Sequence, residues 1–197
     1  MKHPFNTNLP IILGSSSKWR QNILMQAGIP FTVMSPDIDE KGIRHNDPKT
    51  LTLAIAHAKA DVLLPKIKTP SLLITVDQVV TCHGEIFEKP QTQKDVYDYY
   101  ACYEKYPAQT VTAVVVTNTQ TQKRAQGVDI ATIYLNPVPK AITEAYIQKG
   151  NIFHCAGGFQ IEGEKEGLNP YVRSIEGNID SIQGLPMTLV KQLITHI

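Results

Sequence analysis

Asp77 follows the run Leu72-Leu73-Ile74-Thr75-Val76, which reads as a buried strand that delivers a carboxylate at its end. A carboxylate in that position can hold a metal or take a proton from water; it can equally cap a turn at a sheet edge. Glu40 closes Asp37-Ile38-Asp39-Glu40, and three carboxylates in four residues suit a hard cation such as Mg2+. A solvated acidic loop has the same composition, and the spacing is not that of an EF-hand. The segment Ile11-Ile12-Leu13-Gly14-Ser15-Ser16-Ser17-Lys18-Trp19-Arg20 runs from an apolar strand through a turn of hydroxyls into a helix. A helix start carries free N–H groups and a partial positive charge, and Ser15, Ser17 and Arg20 add donors there. The combination suits an anion, phosphate above all, although a serine that only caps its helix looks the same in sequence. Lys59, in Ala56-His57-Ala58-Lys59-Ala60, and Lys89, in Glu88-Lys89-Pro90, are either solvated lysines or point charges for a phosphate.

These groups need elements to position them. The pattern predicts a strand over 10–13, a helix over 16–27 with Ile23, Leu24 and Ala27 on one face, and a strand over 31–34. A helix starts at Asp47-Pro48 and ends at Pro65, with Leu51, Ala54, Ile55, Ala58 and Val62 at helical spacing. The strand over 72–76 leads towards a hairpin turn at His83-Gly84, and a helix covers 91–103 with Val96, Tyr99, Tyr100 and Tyr103 inward. Paired strands over 111–117 and 128–135 flank a polar turn, and helices over 139–149 and from Gly184-Leu185-Pro186 onward complete the chain. The expected fold class is α/β, a mixed twisted sheet in two lobes with a central cleft, within a single domain spanning 1–197.

Composition narrows the function. The chain has 197 residues and a net charge of +1, with no basic or acidic block, so duplex nucleic acid is not an expected partner. No apolar run reaches membrane-spanning length, and the first residues lack the apolar core of a signal peptide. Cys82, Cys102 and Cys155 are widely spaced and odd in number, which predicts no metal pair and no disulfide framework, hence reduced thiols in a cytoplasmic protein. The glycines of 155–163 lack the GxGxxG order, no P-loop is present, and His154 beside Cys155 does not make a dyad.

Taken in chain order, the motifs resemble the Maf family of nucleotide pyrophosphatases, which share an inosine-triphosphatase-like α/β fold. The resemblance rests on Ser15, Ser17 and Arg20 after the first strand, Asp39-Glu40, Lys59-Ala60, Asp77-Gln78-Val79, Lys89-Pro90, Ala156-Gly157 and Gly184-Leu185-Pro186. It departs from the common family pattern at Lys18 and Trp19, where many members carry Pro and Arg. The resemblance implies hydrolysis of a nucleoside triphosphate to the monophosphate and pyrophosphate. It implies triphosphate contacts from Ser15, Ser17, Arg20, Lys59 and Lys89, a divalent metal (Mg2+, or Mn2+) on Glu40 and Asp77, and Asp77 as the base for the attacking water. It also implies a homodimer.

Trp19, Gln78 and Glu162 resemble the family branch that acts on 7-methyl-GTP, as does Cys155-Ala156-Gly157-Gly158-Phe159. The chemistry agrees: N7-methylguanine is a flat cation that a Trp face attracts, and a carboxylate accepts from the guanine N1–H and N2–H edge. Core packing of Trp19 and solvent exposure of Glu162 are the plain alternatives. The competing functions are a pyrimidine triphosphate pyrophosphatase, acting on UTP, dTTP or modified forms, and a non-catalytic regulator of septum formation.

Overall fold

The computed structural model describes residues 5, 7–162 and 166–197 and, of Glu162 and Glu166, the backbone alone. Strand β1 (Ile11–Gly14) is buried along its whole length, as expected of a parallel strand covered on both faces. It pairs in parallel with β2 (Phe31–Val33) on one side and with β3 (Leu72–Cys82) on the other, Gly14 lying opposite Thr75. The β1–β2 connection carries helix α1 (Lys18–Gln26), and the β2–β3 connection carries α2 (Pro48–Leu63). Helix α2 starts as its sequence dictates. Asp47 accepts from the Thr50 N–H at 2.8 Å, and Pro48 takes the first helical position, where its missing N–H costs nothing.

Strand β4 (Glu85–Phe87) folds back antiparallel on β3, followed by α3 (Gln93–Tyr103), β5 (Ala108–Asn118), β6 (Arg124–Leu135) and α4 (Lys140–Lys149). A small hairpin, β7 (Ile161–Glu162) with β8 (Glu166–Gly167), precedes β9 (Val172–Glu176), α5 (Ile179–Ile182) and α6 (Met187–Ile194). The main sheet has seven strands in the order β2-β1-β3-β5-β6-β9 with β4 on β3, and it mixes parallel and antiparallel pairs. The expected α/β class with a mixed sheet is therefore the observed one. Among the described residues, no helix is long and apolar enough to cross a membrane.

The chain forms two compact units. The first comprises the residues up to Asp77, Thr112–Asp129 and Gly184–Ile197. Here β3 alternates strictly: Leu72, Ile74 and Val76 join Leu13, Leu24, Val114, Val116 and Val190 in one core, while Leu73 packs against Ala60 and Leu63 of α2. The second comprises Gln78–Val111 and Ile130–Gln183, cored by Val80, Phe87, Val96, Tyr100, Tyr103, Ile133 and Phe159. Tyr103 stacks on Phe159 at 4.8 Å and donates its hydroxyl to the Gly157 carbonyl at 2.8 Å. Gly157 adopts φ +62°, and a Cβ there would stand 2.6 Å from the Val80 Cβ, so no other residue fits.

Four expectations are corrected. Strand β3 does not end at Val76; it continues to Cys82, so Asp77 is a mid-strand residue with only 7 % of its surface exposed. The apolar residues Val79 and Val80 prolong the strand until His83-Gly84 turns it. Strand β9 has no strand signature in sequence, because Val172-Arg173-Ser174-Ile175-Glu176 breaks the apolar/polar alternation and buries none of its side chains fully. Ala27 is an exposed helix cap and not part of the α1 core face. Cys82 and Cys102 are not free thiols but a disulfide, with their Cα atoms 6.5 Å apart, because the end of β3 meets α3; their spacing in sequence carries no sign of that. Cys155 is buried and forms no disulfide.

Candidate active site

The side-chain alternation that buries Leu73 under α2 places Thr75 and Asp77 on the same face of β3. Lys59 points down from α2 to meet them. It is 5 % exposed, so it is no solvated surface lysine. Its Nζ donates to Asp77 Oδ1 at 2.7 Å and to the Val76 carbonyl at 3.3 Å, and it pairs with Glu40 Oε1 at 2.9 Å. Three partners match the three N–H donors of an ammonium group. Burial pushes the Asp77 carboxyl above the ordinary carboxylate range; the Lys59 ammonium and the Arg20 guanidinium pull against it, and the Glu40 charge adds to it. A buried ion cluster is poor evidence of stability, since desolvation consumes most of the Coulomb gain, so a functional reason is the better account of it.

Glu40 opens a short 3-10 turn, Glu40–Gly42. The acidic run around it does not act as one cation loop. Asp39 caps that turn by accepting from the Lys41 N–H at 3.1 Å, while Glu40 reaches Lys59.

Arg20, in the first turn of α1, is anchored rather than loose. Nε donates to the Gly184 carbonyl at 2.9 Å, and Nη1 donates to Ser15 Oγ and to the Val76 carbonyl, each at 3.1 Å. Its Nη2 amino group takes part in none of these bonds. Burial lowers the guanidinium pKa from its ordinary value, opposed by Asp77 and Glu40; a guanidinium remains charged in proteins. Ser15 is buried, and its Oγ accepts from both Ser17 N–H, at 3.3 Å, and Arg20 Nη1, at 3.1 Å. With both lone pairs engaged, the hydroxyl has only a proton left to offer, which suits a phosphate oxygen. Ser17 does cap α1, weakly, at 3.5 Å from the Arg20 N–H. Trp19 sits half-buried in the same first turn, unlike the fully packed Leu24.

The first unit thus brings together Ser15, Ser17, Arg20, Glu40, Lys59 and Asp77 and places Trp19 in the same helical turn as Arg20. The remaining candidates belong to the second unit. Gln78, next to Asp77 on β3, donates through Nε2 to the Ser181 carbonyl at 2.9 Å and to the Ile182 carbonyl at 3.5 Å. Lys89 lies between β4 and α3, its carbonyl accepting from Gln91 Nε2 at 2.9 Å. Glu162 pairs with Glu166 in the β7–β8 hairpin, and its side chain lies outside the described residues. Sequence reading missed the carbonyls of Val76 and Gly184 and the hydroxyl of Thr75. Main-chain acceptors leave no mark in a sequence; the one hint is Gly184, whose φ of +98° requires glycine.

A divalent cation fits this donor set in part. Two hard carboxylates converge on the Lys59 ammonium, and among the described residues no group of three or more His, Cys, Asp or Glu gathers to hold a metal. Mg2+ is commonly held by one or two carboxylates completed by substrate phosphates, and Glu40 with Asp77 suits that habit.

The sequence is 43 % identical over 198 residues to a 7-methyl-GTP pyrophosphatase of Dictyostelium discoideum, covering 97 % of this chain and 98 % of that one. It is 29 % identical to a 7-methyl-GTP pyrophosphatase of Vibrio vulnificus, covering 91 % of each chain. It is also 29 % identical to a dTTP/UTP pyrophosphatase of Chlamydia trachomatis, covering 93 % of this chain and 92 % of that one. The family model described as Maf-like protein matches residues 10–197, and the chain belongs to the Maf family.

Proposed function

We propose that this chain is a nucleoside triphosphate pyrophosphatase that hydrolyses 7-methyl-GTP to the monophosphate and pyrophosphate, as a house-cleaning enzyme. The observation that carries the reading is the buried Lys59 bridge between Glu40 and Asp77, built beside the anion-binding start of α1. Asp77 takes a proton from water as that water attacks the α-phosphorus. The bond from the α-phosphorus to the α–β bridging oxygen breaks, and its electron pair leaves with pyrophosphate. Arg20 Nη2, the Ser15 hydroxyl and the N-terminal amides of α1 donate to phosphate oxygens, and Lys89 adds a point charge. Lys59 holds the Asp77 carboxylate in place. A divalent cation, Mg2+ or Mn2+, bound by Glu40 and Asp77 together with the substrate, would neutralise triphosphate charge.

The base reading rests on Trp19, Gln78 and Glu162. Two carbonyls accepting from the Gln78 Nε2 orient its amide. A Trp19 face would attract the positive N7-methyl ring. The Dictyostelium relative bears the matching name at 43 % identity. Glu162→Gln is expected to lower kcat/KM for 7-methyl-GTP relative to UTP by about tenfold or more, since a charge-assisted pair is worth about 1.5–3 kcal/mol. Trp19→Ala is expected to narrow the preference for methylated over unmethylated GTP. Ratios of kcat/KM for 7-methyl-GTP, GTP and UTP decide it. Unchanged ratios in both variants would make Trp19 and Glu162 structural, and a wild-type preference for UTP or dTTP would favour the pyrimidine reading. Binding of nucleotide without any turnover would favour a regulator. The reading also carries a homodimer; a sedimentation mass of one chain would contradict it.

A further inference from the structure

We infer that Thr75 is a positioning residue for the Lys59–Asp77 pair, its hydroxyl pinning helix α2 to strand β3 one helical turn from Lys59. Thr75 is fully buried, and its Oγ1 donates to the Ala56 carbonyl at 2.8 Å. In an α-helix that carbonyl already accepts from the N–H four residues on, so no backbone group needs the extra bond. Valine would fill the same space with no hydroxyl to desolvate. What the hydroxyl adds is register.

Thr75 is two residues from Asp77 on β3, about 6.6 Å along the strand. Ala56 is three residues from Lys59, about 4.5 Å along the helix axis. The Thr75–Ala56 bond and the Lys59–Asp77 bond are therefore two successive ties between the same two elements. A slide of α2 by a single residue, about 1.5 Å, would carry Lys59 Nζ out of its 2.7 Å contact with Asp77.

The other branch of Thr75 is also fixed. Gly14, its partner across the β1–β3 pair, leaves room for the Thr75 methyl: a Cβ on Gly14 would stand 2.6 Å from Thr75 Cγ2 and 2.8 Å from Leu63 Cδ1. With the methyl against Gly14 and the hydroxyl on Ala56, a β-branched side chain has one rotamer left. The site thus gains a rigid support that bears no charge and lies clear of the reacting groups.

This inference rests on the pyrophosphatase reading for its kinetic effect, and a structural measurement separates the two. Thr75→Val is expected to lower kcat about tenfold while KM for the nucleotide stays within about twofold, as misplacement of a catalytic group does. Thr75→Ser, which keeps the hydroxyl, is expected to restore kcat to within about twofold of wild type. Leu63→Val, which loosens the same α2–β3 packing without touching the hydroxyl, is expected to lower Tm and leave kcat alone. Should Thr75→Val fold poorly, Thr75→Ala serves as the hydroxyl-free variant. A wild-type kcat in the hydroxyl-free variant overturns the inference, as does an equal loss in Leu63→Val. Independently of turnover, a crystal structure of Thr75→Val is expected to show Lys59 Nζ out of hydrogen-bond reach of Asp77 Oδ1; an unchanged contact overturns the inference even if the wild-type chain hydrolyses no nucleotide.

Discussion

Asp77→Asn is expected to abolish pyrophosphate release, by a factor of about 10² to 10⁴, the usual worth of a positioned general base. The substitution is close to isosteric. The Asn carbonyl oxygen can still accept from Lys59 Nζ, which keeps Glu40 as its ionic partner. The fold should therefore survive, with a Tm near that of wild type. What the variant loses is a group able to take a proton from water. Burial that raises the Asp77 pKa makes the carboxylate a better proton acceptor than a solvated aspartate, which an amide cannot imitate. If the folded variant releases pyrophosphate at a near-normal rate, Asp77 is not the base.

Stripping divalent metal is the second large effect. A triphosphate brings several negative charges to a site that already holds the Glu40 and Asp77 carboxylates, and Lys59 and Arg20 supply two positive charges against them. Two unit charges 4 Å apart interact by about 4 kcal/mol at an effective dielectric of 20, so uncompensated carboxylates would repel the substrate strongly. Exhaustive EDTA treatment is expected to remove turnover, and Mg2+ or Mn2+ is expected to restore it. Full turnover after EDTA would mean that Lys59, Arg20 and Lys89 neutralise the triphosphate unaided.

The sequence made the chemistry-bearing residues legible because they stand where polar residues are costly or where caps are needed. Asp77 was visible as a carboxylate in an apolar run, and Ser17 as a helix cap. Helix α2 was visible from Asp47-Pro48 and its helical spacing, but its buried face was not: Ala54, Ala58 and Val62 are only half-buried, and Thr52, Ala56, Lys59 and Ala60 turn inward instead, so the inward aim of Lys59 was missed with them. The full length of β3 was lost because a charge inside a strand reads as its end; Lys59 from α2, with the Arg20 guanidinium from α1, makes mid-strand Asp77 tolerable. Long-range main-chain contacts, such as the Gly184 carbonyl on Arg20, have no sequence signature beyond a glycine. The Cys82–Cys102 bridge depends on how α3 meets β3, which spacing does not encode.

The position of water attack tests the central claim most directly. The purified chain would turn over 7-methyl-GTP in 18O-labelled water with a divalent cation, and the products would be weighed by mass spectrometry. Attack at the α-phosphorus puts the label in 7-methyl-GMP and leaves pyrophosphate unlabelled. Label in pyrophosphate, or release of inorganic phosphate with 7-methyl-GDP, would contradict an Asp77-activated water directed at the α-phosphate.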